Sequence, residues 1–441
     1  MLQAVLSILG TRILTRLVTM VAGIFIARAI GVEQQGVLGL LLMLGGLLAG
    51  LCDLGLGMGA VYFVGRRAWD EERFTGLALP VLGLSTLVTL GLFAWLAGAW
   101  LTDYAVALQG VNLAMLALFV AASAFAELYF SIFIARQRLR DYNLAEMIFA
   151  ALMLGGTLVL LGRGVRQPAA YLGLYGAARG LTFLYLYVRL GRPPRGGNLR
   201  ELPGLLRYSL SQWSANLFSQ LSVRVDAFML AWFIPRSDGR VTLADLGLYS
   251  ICLLTITRLM EIQRSIQTAF FSRVAGLDER EAVAVTNATY RKSFLVYLLL
   301  AAGLIAFGYP VLWLYGREYT AAWSVLSVLV LGTIALRGNA GVLMLYFSTI
   351  DRSRYTVHTH QISLVGNVLL AALLIPRHGI MGAAVGTSVS FAVGKLYLVW
   401  RYKRLTGSSW SRDLLVRPGE ALAALAEVRG ALRKALGGRF S

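Results

Sequence analysis

Nine ionisable side chains fall inside stretches that are otherwise apolar: Arg16, Asp53, Glu127, Arg179, Arg224, Asp226, Arg258, Glu261 and Arg337. Five are arginines and four are acids, so guanidinium is in excess where charge is most costly. A charged side chain at the centre of a spanning helix costs at least about 2.5–3.5 kcal/mol on insertion scales, and normally faces a partner or a polar path. Guanidinium forms paired, charge-assisted hydrogen bonds to phosphate, so this excess points to an anionic ligand, whereas a site for cations would need the opposite sign. Arg224, Arg258 and Arg337 are the leading candidates to hold it, with Arg16 and Arg179 behind them.

Spacing separates the candidates. Arg224 and Asp226 are two apart and lie on different helix faces, so they cannot simply neutralise each other. Glu261 is three residues from both Arg258 and Arg264; it can pair with either and leaves one positive charge over, although a purely structural ladder fits the same spacing. Arg337 stands beside Gly338, Asn339 and Gly341, where a helix is easily deformed. Asp53 precedes Leu54-Gly55-Leu56-Gly57 and reads as a coupling, gating or packing residue; Glu127, with no partner on its own helix, stays equally open. Arg179 lies between Gly176 and Gly180, where close helix packing rivals ligand contact, and Arg16, one turn from Arg12, either snorkels or faces a cavity. His358 and His360 read as interfacial imidazoles. Asp53, Asp226, Glu127, Glu261 and Arg28 form the coupling or gating group.

No catalytic constellation competes. The chain has no GxxxxGK[ST] loop and no metal-spaced His/Cys set, so no enzyme, cofactor or metal is expected. Cys52 and Cys252 sit in apolar segments as small hydrophobes. Movement of a ligand would then draw on an ion gradient, a substrate gradient or a partner.

The elements that carry these residues follow from composition. Of 441 residues 58% are hydrophobic and 14% charged, with mean hydropathy +0.68, which indicates an all-α integral membrane protein. Apolar runs predict about twelve spans: 8–30, 37–64, 76–100, 112–135, 144–162, 169–190, 205–234, 246–272, 293–315, 321–350, 356–376 and 380–402. The Pro/Gly-rich stretch 191–204 divides them into two six-helix bundles, 1–190 and 205–402, followed by a basic tail, 403–441, with an amphipathic helix from Pro418. Alternate loops hold clusters such as Arg66, Arg67 and Arg73, or Arg136, Arg138 and Arg140, which places both termini in the cytoplasm. The same rule explains the net charge of +19 without nucleic acid. Gln35-Gly36-Val37-Leu38 and Leu246-Gly247-Leu248-Tyr249 open the second span of each half, a short echo of a repeat.

Several segments in order resemble the polysaccharide-transporter (O-antigen and exopolysaccharide flippase) branch of the multidrug/oligosaccharidyl-lipid/polysaccharide (MOP) exporter superfamily. They are Ile26-Ala27-Arg28-Ala29-Ile30-Gly31, Asp53-Leu54-Gly55-Leu56, Asp226 with Gly247-Leu248-Tyr249-Ser250, Leu314-Tyr315-Gly316-Arg317-Glu318-Tyr319, and Gly379-Ile380-Met381-Gly382-Ala383-Ala384. The resemblance implies a MATE-like V-shaped architecture in the bacterial inner membrane. It also implies alternating access that moves an undecaprenyl-diphosphate-linked oligosaccharide from the cytoplasmic to the periplasmic leaflet, with the diphosphate held by cavity arginines. Membrane lipids, a polysaccharide polymerase and glycosyltransferases are the implied partners, and a monomer is expected. Arg28 matches a motif near the external face and is assigned to gating or folding. A multidrug exporter of the same fold and a membrane polysaccharide polymerase or ligase are the alternatives.

Overall fold

A computed structural model describes residues 2–100, 110–191, 198–274, 277–350 and 352–409. The described residues are helical with short connections, as they must be where no water satisfies backbone N–H and C=O groups. In chain order the helices are α1 (Leu2–Asp53), α2 (Leu56–Phe63), α3 (Glu71–Trp100), α4 (Gly110–Ala135), α5 (Leu139–Gly162), α6 (Pro168–Leu190), α7 (Leu202–Phe233), α8 (Leu243–Val274), α9 (Glu279–Tyr315), α10 (Trp323–Val330), α11 (Ala340–Thr349) and α12 (Arg354–Thr406). Among the described residues, nine helical stretches are long and apolar enough to cross a membrane. Two of them, Leu14–Asp53 and Arg354–Thr406, each contain one residue with non-helical dihedrals, Gly31 (φ 76°) and Gly379 (φ 54°), and so hold two spans apiece. With the 23-residue α6 the total reaches twelve. On α3, Leu84, Leu87, Val88 and Trp95 are exposed, Leu87 to 72%, an apolar surface that only lipid would solvate at low cost.

Four expected boundaries change. The break expected over 31–36 is not a loop, because the helix runs on through a single dihedral jump at Gly31. The second span is interrupted where Leu54 and Gly55 take positive φ. The tenth span is broken by a π-helical turn, Leu331–Leu336, followed by Arg337–Asn339 outside any helix. The eleventh and twelfth spans are one helix kinked at Gly379. The amphipathic helix expected from Pro418 lies outside the described residues.

Packing divides the chain into two compact units, Met1–Ile251 with Trp313–Tyr319, and Cys252–Leu312 with Thr320–Ser441. In unit 1 a Cβ at Gly36 would overlap Leu243 O, and a Cβ at Gly247 would overlap Val32 O. The two four-residue echoes therefore pack against each other reciprocally, with backbones touching as small residues permit in membranes. One end of this unit gathers ion pairs: Arg136 with Glu71, Arg73 with Glu201, and Asp141 with both Arg138 (2.9 Å) and Arg189 (2.8 Å). In unit 2, Tyr346, Phe347, Tyr355 and Tyr402 form a buried aromatic core, and Tyr402 Oη donates to Asn287 Oδ1 at 2.9 Å.

Candidate functional site

The π-helical turn exists because two surfaces must meet around it. Gly332 lies so close to Ser388 of α12 that a Cβ would collide with the serine side chain and backbone, while Ser388 Oγ donates to Val328 O at 3.0 Å. Six residues on, Gly338 abuts the ring of Tyr297 on α9. Satisfying both contacts requires an extra residue per turn, and the Arg337 N–H accordingly reaches back to Gly332 O at 3.1 Å.

That turn delivers Arg337 into the interior of unit 2. Its guanidinium sits 4.0 Å over the Phe391 ring, and its Nη1 is buried without a hydrogen-bond partner. His360, buried on α12, lies within electrostatic range of Arg337; it is not the exposed interfacial imidazole the sequence suggests, whereas His358 is exposed and 3.1 Å from Tyr397 Oη. Asn339 is fully buried and donates to Tyr290 O at 3.4 Å, leaving Oδ1 without a partner. Tyr297 Oη and Asn367 Nδ2 are buried and likewise unpartnered. One helical turn beyond Phe391, Lys395 places its ammonium 5.3 Å from the Phe294 ring and 5.7 Å from the Tyr290 ring. No carboxylate among the described residues pairs with Arg337 or Lys395. Lys395 was missed from sequence, although its position between Gly394 and Leu396 in an apolar span was a visible signal.

In unit 1, α7 runs antiparallel to the second half of α1. Trp213 Nε1 donates to Gly50 O at 2.9 Å, Gln220 lies over Gly50, and Arg224 lies over Gly46, with Nη1 3.4 Å from Met43 O. The glycines leave the polar side chains room at the interface. Asp226 points the other way, fully buried, and accepts from Tyr249 Oη at 2.5 Å, so the two charges do face different neighbours. Asp53 accepts from the N–H groups of Gly55 (3.0 Å) and Gly57 (3.1 Å), capping the break before α2. Glu127 is exposed on α4 and close enough for its charge to act on Asp53.

The remaining candidates are scattered. Arg28 donates to Leu314 O (2.8 Å) and Trp313 O (3.4 Å), clamping the carbonyl end of α9. Arg179 stacks on Phe149 of α5 at 4.2 Å, while Gly176 beside it packs on Leu118 and Phe119 of α4. Arg16 is half-buried on α1 and Arg258 half-buried on α8 in unit 2. The side chain of Glu261 lies outside the described residues.

A family profile described as "Polysaccharide biosynthesis protein" matches residues 1–268. The chain belongs to this family. A Haloferax volcanii member of the known proteins, "Probable low-salt glycan biosynthesis flippase Agl15", is 24% identical over 381 residues, covering 84% of this chain and 76% of that one. The fold is shared with "Lipid II flippase MurJ, inward closed conformation" (TM-score 0.75, 13% identity, 90% of this chain and 87% of that one). It is also shared with an inward-facing multidrug resistance MATE family transporter of the MOP superfamily (TM-score 0.69, 16% identity, 89% and 95%). This polysaccharide biosynthesis protein is thus a multi-pass membrane protein that shares its fold with transporters of the MOP superfamily. The helical fold shared with these structures agrees with the reading from composition and span count.

Proposed function

We propose that this protein flips an undecaprenyl-diphosphate-linked oligosaccharide from the cytoplasmic to the periplasmic leaflet of a bacterial inner membrane, with its diphosphate held by interior arginines. The observation that carries this reading is Arg337: a guanidinium inside a spanning segment, with an unpartnered Nη1 and no carboxylate pair among the described residues. A desolvated cation in that state is stabilised by an anion brought to it, and phosphate suits the guanidinium fork. Arg224 serves the same purpose in unit 1, with Arg258, Arg16 and Arg179 as lesser contributors. The halves 1–190 and 205–402, joined by 191–204, are the repeats whose rearrangement exposes the site to each leaflet in turn. Both termini are cytoplasmic, on the side of the basic loops. Glu127 and Asp53 are the acids best placed to couple a cation to that movement, and Asp226 and Arg28 keep helices in register.

The test is mass spectrometry of polyprenyl-linked lipids from cells lacking the protein, rescued by wild type or by Arg337→Ala, Arg224→Ala and Arg258→Ala at matched membrane levels. Accumulation of the diphosphate-linked oligosaccharide in the null, cleared by wild type and not by Arg337→Ala, is the expected result. Clearance by every variant removes the arginines from the mechanism, and no accumulation in a null without a second flippase removes the cargo.

A further inference from the structure

Lys395 has no place in the reading above, and its surroundings do not explain it as structure. It lies seven residues before the end of the expected span at 402, about 10 Å at 1.5 Å per residue, and helical side chains lean toward the helix N-terminus, which carries its ammonium away from the nearer headgroup layer. It pairs with no described carboxylate. Its contacts are the faces of Tyr290 and Phe294, which stabilise a cation yet leave its N–H donors unused.

The neighbouring cation is Arg337. Phe391 supports its guanidinium, and Lys395 follows Phe391 by one helical turn on the same face. Tyr290, beneath Lys395, also gives its carbonyl to Asn339, two residues from Arg337. The same α9 face therefore holds both cations in place, Tyr290 and Phe294 at one and Tyr297 against Gly338 at the other. Beside them Arg337 Nη1 and Tyr297 Oη, next to Gly338, are buried donors with nothing to donate to, and Asn367 Nδ2 on α12 is another in the same unit. Tyr297 is 2% exposed and Asn367 not at all.

Arg337 on the Phe391 ring and Lys395 one turn beyond Phe391, both without a described carboxylate, suit a ligand with two linked anionic groups, the guanidinium fork taking one and the ammonium the other. We infer that Lys395 is the specificity-determining residue by which unit 2 selects a polyprenyl diphosphate over a polyprenyl monophosphate. The inference rests on the diphosphate reading above and assigns the second phosphate to a residue of its own.

The experiment measures binding of geranylgeranyl diphosphate and geranylgeranyl monophosphate to the purified full chain in detergent at fixed salt, by titration calorimetry. Wild type, Lys395→Gln, Lys395→Met and Lys395→Arg are compared, each checked for an unchanged melting temperature. Lys395→Gln and Lys395→Met should weaken the diphosphate by about tenfold, the scale of one charge-assisted contact, and the monophosphate by less than about twofold. Lys395→Arg should restore the preference. If both neutral variants keep the wild-type ratio of the two affinities, or lose both ligands equally, the lysine assignment is overturned while diphosphate binding stands. If wild type itself shows no preference for the diphosphate, the inference and the cargo reading fall together. Should those neutral variants fail to fold, Lys395→Ala is titrated in their place, and a diphosphate-to-monophosphate affinity ratio unchanged from wild type overturns the assignment.

Discussion

The basic end of unit 1 and the interior of unit 2 both concentrate positive charge, and they treat it in opposite ways. At the first, Arg136 meets Glu71, Arg73 meets Glu201, and Asp141 accepts from Arg138 and Arg189 at once. At the second, Arg337 and Lys395 meet only aromatic faces, although they lie inside spanning helices where a missing counter-charge costs more. Pairing at a membrane boundary fixes loops; an unpaired cation inside the membrane is maintained against its own desolvation. The first arrangement is complete without a ligand, and the second is not.

The strongest way to break the comparison is Arg337→Gln. Transport should fall by at least about tenfold, the loss of one charge-assisted phosphate contact, while the melting temperature stays level or rises because a buried uncompensated charge has been removed. A clear drop in melting temperature would make Arg337 a structural residue like those of unit 1. Asn339→Asp asks the question from the other side. It is nearly isosteric, and it places a carboxylate two residues from Arg337 in a medium of low dielectric constant. The interior would then resemble the paired end: stability is retained, and transport falls although the guanidinium is still present. Vesicle transport together with thermal melting reads both variants.

Glu71→Gln should do the reverse of Arg337→Gln. Glu71 is 9% exposed, and its loss leaves the Arg136 guanidinium without its acceptor, a cost of about 1–3 kcal/mol for a partly buried group. Transport per folded molecule should not change. Exchanging the pair as Glu71→Arg with Arg136→Glu should recover most of the stability, and a loss of transport in the folded fraction would show that the basic end does more than hold loops.

The difference between these two regions was only half legible in the sequence. Spans, basic loops and the Arg excess are written in hydropathy and charge, and they survive in the structure because a chain in lipid has few alternatives to helix. The Gly36 and Gly247 echo was visible as a repeat, but that its two copies touch was not. Arg337 could be singled out because Gly338, Asn339 and Gly341 surround it. Lys395 was visible only as a lysine in an apolar span: its meaning depends on Tyr290 and Phe294, some hundred residues away on α9, and no local spacing encodes that proximity. The π-helical turn was hidden for the same reason, since it is imposed by Ser388 and Tyr297 from two other helices. In a helix apolar on all sides, periodicity no longer says which face meets protein and which meets lipid.

The smallest effect belongs to the most exposed pair. Arg73 and Glu201 join the first turn of α3 to the turn before α7, with side chains 44% and 22% exposed, and Arg73 is also braced against Trp69 at 5.4 Å. Water and salt screen such a pair, and ordering two long side chains offsets much of its attraction. Glu201→Gln should therefore leave melting temperature and transport at wild-type values in physiological salt, with a small decrease in stability emerging only at low ionic strength. A transport defect with intact stability would mean that unit 1 also has a charge whose partner matters for movement, and the division between paired structural charge and unpaired functional charge would no longer follow the boundary between the two units.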